Sequence, residues 1–195
     1  MATRPTGYGL TAETKRKIDS KFDADLANQA LNWVEAVLEE NLFDDRDEAN
    51  LKKYVQDQLK DGTILCRVIN KLSPGSVKKV NASKMAFKMM ENIGNFLQGC
   101  YNYGVKKEDL FQTADLYEGA NIVQVVNGLA ALARKAQSSG YDGPSFGPKE
   151  STAAPREFTQ EQLEAGKSII GLQMGSNKGA SQAGQNFGKT RQILD

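Results

Sequence analysis

Near its carboxyl end the chain reads AGQNFGKT, from Ala183 to Thr190, which satisfies a relaxed phosphate-loop pattern ending in Lys189 and Thr190. In such loops glycine-rich backbone amides and a lysine cradle nucleotide phosphates, provided the loop joins a buried strand to a helix whose N-terminus faces the anion. No strand-like segment precedes Ala183, and only five residues follow Thr190. The expectation is therefore no nucleotide site and no cofactor.

Other reactive groups fare no better. The run EENLFDDRDEAN offers oxygen ligands, but it lacks the central glycine and the terminal bidentate glutamate of a calcium loop, and reads as a solvated connection between helices. The adjacent carboxylates at Glu39–Glu40 and Asp44–Asp45 have nothing to drive their acidities apart, as an acid–base pair requires. There is no histidine, which removes the usual general base, the serine and cysteine triads and every histidine-containing metal set. Cys66 and Cys100 lie among apolar residues at helical spacing, as buried thiols do. No catalytic residue and no metal site is expected, and the chain reads as a non-enzyme.

Binding is the chemistry left. Lysine and arginine number 25 against 24 acids, so overall charge advertises neither nucleic acid nor membrane as a partner. Residues 165–194 differ: they contain Lys167, Lys178, Lys189 and Arg191 and no acid, a local charge of +4 in a chain of net +1. They also carry Ile169, Ile170, Leu172 and Met174. Such a segment can order along an acidic protein surface; alternatively its aliphatic residues pack on the rest of the chain as a strap.

The elements that must position these residues are helical. From Asp23, which with Asp25 is a candidate N-cap, Leu26, Ala27, Ala30, Leu31, Val34, Val37 and Leu38 recur at three and four, with Trp33 on the border. Shorter patterns run through Leu51–Leu59, stopping at Asp61-Gly62, and through Leu65–Leu72, stopping at Ser73-Pro74-Gly75. The longest stripe takes in Phe87, Met90, Ile93, Gly94, Leu97, Cys100 and Tyr101, from Ser83 to Gly104, and reads as the central helix. Ile122–Ala133 is apolar nearly all round, like a helix enclosed by others. No stretch alternates as a strand would, so the fold class is all-α. The expected organisation is an arm over 1–23 with a short helix near Glu13–Ile18, a compact helical domain over 24–136, a proline-bearing linker over 137–157, and a flexible glycine-rich tail over 158–195. Phe158–Gly166 could form two helical turns capped by Thr159 with Glu161 or Gln162. The opening MATRPTGYGLTAE has no apolar core for a signal peptide and no 18-residue apolar run follows, so a cytoplasmic protein is expected.

Two strings are specific enough to place the chain in a family. GKSIIGLQMGSNKGASQAGQNFGKTRQI, from Gly166 to Ile193, resembles the calponin-type repeat. The helical part resembles a calponin-homology domain of the calponin and transgelin type, with Trp33, LKDGTILCRVINKL at 59–72, FKMMENIGNFLQGCYNYGV at 87–105 and DLFQTADLYEGANIVQVVNGLAALA at 109–133. One repeat rather than several makes it similar to the transgelin and invertebrate muscle protein 20 group.

The resemblance implies filamentous actin as partner and a cytoskeletal location, with filaments stabilised or cross-linked chiefly through the repeat. Carried over to matching positions, the actin-binding candidates are Lys167, Ile170, Gly171, Leu172, Gln173, Met174, Gly175, Ser176, Asn177, Lys178, Gly179, Ala180, Ser181 and Gln182. Ser181 matches a repeat serine that resembles a kinase target, so it is a phosphorylation candidate or an ordinary loop serine. A second implied role is that of a signalling adaptor whose helical domain docks a kinase or another cytoskeletal protein. Transgelin-like chains often carry a dense basic cluster before REFT; here only Lys149 and Arg156 stand nearby, which implies weaker electrostatic steering.

Overall fold

The structure, a computed structural model, describes residues 9–147, 151 and 155–168. The chain divides into a unit ending at Ser151 and a second beginning at Thr152. Among the described residues there are helices and turns and no strand.

The first unit begins with α1 (Leu10–Asp19), slightly longer than its sequence pattern indicates, with Asp19 in contact with the Lys52 ammonium. Next, α2 (Ala24–Leu38) is capped by Asp23, whose Oδ1 accepts a hydrogen bond from the Leu26 amide at 3.1 Å. Helix α3 (Leu51–Leu59) and helix α4 (Thr63–Leu72) meet at Asp61-Gly62. There Gly62 has φ 71°, and Asp61 accepts from the Thr63 amide and hydroxyl at 2.9 and 2.8 Å. Helix α5 (Ala86–Tyr103) starts three residues beyond Ser83, whose hydroxyl accepts from the Met85 amide, and ends at Gly104 with φ 102°. A short α6 (Thr113–Tyr117) precedes α7 (Ile122–Ser138), which is buried on most sides as its composition indicates.

The core lies where α2, α4, α5 and α7 converge, with Leu31, Leu65, Ile69, Ile93, Phe96, Leu129 and Leu132 fully buried. Each such side chain contributes about 1.5–3 kcal/mol against about 1 kcal/mol for a typical cap, so burial of the helical stripes decides the fold. Helices α4 and α5 approach closely at Gly99, where a Cβ would stand 3.1 Å from Ile69.

Two connections are more ordered than their composition implies. The acidic segment after α2 is organised by Glu35, which accepts from the Leu42 and Phe43 amides at 2.8 and 2.7 Å and pairs with Arg46 at 2.8 Å, so that Phe43 enters the core. Trp33 is not on a border: it is 2% exposed, because residues 141–147 return across α2. Its indole N–H donates to the Pro144 carbonyl at 2.8 Å, and its ring lies 5.8 Å from that of Phe146.

In the second unit, α8 (Gln160–Ser168) has the expected start. The Thr159 amide donates to Gln162 Oε1 at 3.1 Å, and the Gln162 amide donates to Thr159 Oγ1 at 3.4 Å, a reciprocal capping box.

Candidate functional site

The stripe read along α5 is two faces. Ile93, Phe96 and Cys100 turn inward together with a polar residue, Asn92, while Phe87 and Tyr101 turn outward and Met90 lies at the edge. Asn92 is fully buried, and all four of its side-chain hydrogen bonds go to the segments that flank α4. Its Oδ1 accepts from the Asn81 amide at 2.9 Å and from Asn81 Nδ2 at 3.2 Å; its Nδ2 donates to the Asp61 and Asn81 carbonyls at 2.9 and 2.8 Å. Gly62 permits this approach, since a Cβ there would stand 2.8 Å from the Asn92 Cβ. One side chain thus holds the α4–α5 connection against the first turns of α5.

The connection carries a basic and apolar surface. From Gly62 to Met90 the chain has six cations and no acid. Arg67 and Lys71 are spent on Glu40 and Glu39, and Lys88 pairs with Glu91 at 2.8 Å. Lys78, Lys79 and Lys84 have no ion-pair partner among the described residues. A hydrogen bond from Lys88, with the charges of Lys88 and Lys79, holds the Glu91 carboxyl below the usual range, a sign of positive potential at this corner. In the same stretch of chain Met85 and Phe87 are 66% and 67% exposed, and Val80 is also uncovered. The Lys88 ammonium lies 5.5 Å from the Phe87 ring centroid. Sequence reasoning passed over this surface, although the acid-free run between 62 and 90 was a readable signal.

Nothing described assembles into a reaction centre. A groove of about 780 Å³ beside α5 brings one cation, Lys107, to mixed walls that include Leu97, Tyr101, Phe111, Gln98 and Gln112, with no acid–base pair. Burial pushes the Cys66 thiol up to about 12 and raises that of Cys100 as well, so both are un-ionised near neutrality. Among the described residues no three potential metal ligands cluster, and no helix is long and apolar enough to cross a membrane.

Of the sequence-derived actin-binding candidates, the structure describes Lys167 alone; it is exposed in the last turn of α8, where a cation suits the helix dipole. Ile170, Gly171, Leu172, Gln173, Met174, Gly175, Ser176, Asn177, Lys178, Gly179, Ala180, Ser181 and Gln182 lie outside the described residues, as does AGQNFGKT.

Comparison with known proteins accounts for both parts of the chain. Residues 24–138 match the calponin homology (CH) domain, and residues 170–193 match the calponin family repeat. Myophilin of Echinococcus granulosus is 47% identical over 197 aligned residues, covering 100% of each chain. Among solved structures, the calponin-homology domain of Rng2 from Schizosaccharomyces pombe has a TM-score of 0.53 at 23% identity, over 73% of this chain and 83% of that one. The calponin-homology domain of an IQGAP protein from the same organism gives 0.52 at 22% identity with the same coverage, and both show the fold alone. With a helical CH domain, one calponin repeat and a full-length relative at this identity, the chain belongs to the calponin/transgelin family of actin-binding, cytoskeletal, muscle-type proteins.

Proposed function

We propose that this chain is a non-catalytic protein that stabilises or cross-links actin filaments, with its main contact in the calponin repeat. The observation that carries this reading is the coincidence of the repeat, residues 170–193, with the acid-free segment 165–194. Lys178 would meet acidic filament surface, with Lys167 and Ile170–Gln182 around it, while the aliphatic residues supply burial on contact. A phosphate on Ser181 would place about two negative charges three residues from Lys178 and weaken the attraction.

Co-sedimentation with filamentous actin tests the assignment. The full chain should pellet with filaments, whereas a chain ending at Ala165 should stay largely in the supernatant. Equal pelleting of the two would refute the repeat as the main contact. Ser181→Glu should pellet less than the parent, and unchanged pelleting would remove Ser181 as a switch.

A further inference from the structure

Helix α5 carries a second apolar row that the fold leaves partly uncovered. Phe87, Met90, Gly94, Leu97 and Tyr101 follow one another at three, four, three and four residues, the spacing of a helix that packs along another helix. Phe87 and Tyr101 are 67% and 56% exposed, Met90 lies at the edge, and Gly94, Leu97 and Tyr101 line the groove beside α5. Gly94 is the odd member of the row. Glycine disfavours a helix interior, yet this one has no positive φ. Gly99 is packed on Ile69, whereas a Cβ on Gly94 would meet nothing within 4 Å beyond its own helix backbone. Neither the backbone nor the core of this chain requires a glycine there; the close approach of a second helix does.

The row is its own complement. Phe87 and Tyr101 lie seven residues either side of Gly94, with Met90 four before it and Leu97 three after. An antiparallel copy crossing at Gly94 therefore sets each Phe87 on the other copy's Tyr101 and each Met90 beside the other copy's Leu97, as a two-fold contact requires. Charge favours the same direction. The charged side chains of α5 are Lys88 and Glu91, and residues 92–103 hold none. Parallel pairing would oppose lysine to lysine and glutamate to glutamate, whereas antiparallel pairing sets both against the uncharged half.

We propose that α5 is the contact between two copies of this chain, paired antiparallel about a two-fold axis at Gly94. An aromatic side chain has about 150–250 Å² of surface, so the exposed parts of Phe87 and Tyr101 supply about 500 Å² over two copies. Met90, Leu97 and the groove residues Leu110 and Ala114 bring the total to about 1,000 Å², the lower bound of a specific interface. The dimer is thus weak and reversible, with a dissociation constant on the order of 10 μM. Cross-linking needs two filament contacts, and a chain with one calponin repeat gains the second by pairing. That consequence rests on the actin reading, whereas the pairing itself rests on α5 alone.

Sedimentation velocity of the full chain without actin, at concentrations either side of about 10 μM, is the test. Phe87→Ser removes both two-fold-related contacts and should weaken pairing about 100-fold, at about tenfold per contact, and Tyr101→Ser should do the same. Unchanged Trp33 emission would establish that both variants fold. Gly94→Ala should raise the melting temperature of the dilute chain by about 3 °C and yet weaken pairing, a combination that a merely exposed glycine would not give. A short bismaleimide should join Lys88→Cys to Asn102→Cys in a mixture and neither variant to itself, because like positions lie about 18–24 Å apart along the paired helices. The native Cys66 and Cys100 are buried and stay out of the reaction. With actin, Phe87→Ser should still pellet with filaments at high speed and lose the bundles that the parent pellets at low speed. Failure of the parent to pellet with actin would defeat the actin reading and leave the pairing result standing. A chain that stays monomeric, or pairing unaffected by both serine variants, would overturn the proposal. So would like-with-like cross-linking that exceeds cross-linking in the mixture.

Discussion

Replacing Asn92 by leucine keeps the branched outline of the side chain and removes every hydrogen bond the side chain makes. Four bonds of 2.8–3.2 Å disappear, and the Asn81 amide and carbonyl, buried beside it, are left without a partner. An orphaned buried polar group costs about 1–3 kcal/mol, and the extra apolar burial returns about 1–2 kcal/mol. The expected net loss is about 3 kcal/mol, or roughly 10–15 °C in melting temperature for a domain of this size. Trp33 is the only tryptophan and is 2% exposed, so its fluorescence during denaturant unfolding reads the transition directly. Asn92→Asp sharpens the test. A carboxylate there would face the Asp61 and Asn81 carbonyls, which accept and cannot donate. Its folded pKa must rise above the unfolded value near 3.9, so the penalty is absent below that pH and grows as pH rises through the folded pKa. The gap between Asn92→Asp and the parent should therefore narrow on acidification. A loss under about 1 kcal/mol in the leucine variant, or a pH-independent gap in the aspartate variant, would refute the hub.

Other expected outcomes rest on separate features. Gly62→Ala forces a Cβ to 2.8 Å from Asn92 Cβ and 2.9 Å from the Ile93 amide at φ 71°, so it should cost about 3 kcal/mol or more by denaturant unfolding. Phe146→Ala should uncover Trp33, red-shift its emission and expose the 141–147 segment to proteolysis, at a cost of about 2–4 kcal/mol. Cys66 and Cys100 should resist a thiol reagent at neutral pH in the native protein and both react once it is unfolded, since burial holds them as thiols.

Much of the fold was legible because helical periodicity reports burial directly. The stripes of α2, α3 and α4 enter the core as read, and Asp23, Thr159 and Gly104 mark helix ends with recognisable cap chemistry. Helix α5 shows where periodicity fails. Its apolar residues occupy two overlapping rows, and nothing local indicates that Phe87 faces out while Asn92 faces in; that is settled by Asn81 and Asp61. Trp33 was misplaced for the same reason, since its cover comes from a carbonyl 111 residues away. The repeat was legible as a specific string rather than through any physical pattern, whereas the acid-free run 62–90 needed the structure to show which of its cations are paired among the described residues.

Asn92 and Trp33 also differ in the chain they close. Asn92 ties main-chain groups no more than 31 residues away, whereas Trp33 ties a segment 111 residues away. The shorter loop costs less entropy to close, and it lies wholly within one helix-connection-helix piece. Local opening is thereby divided: the 141–147 segment can lift from Trp33 while the α4–α5 piece stays closed. Amide hydrogens would report this as two exchange regimes, with Asn81 among the slow ones and the 141–147 segment among the fast.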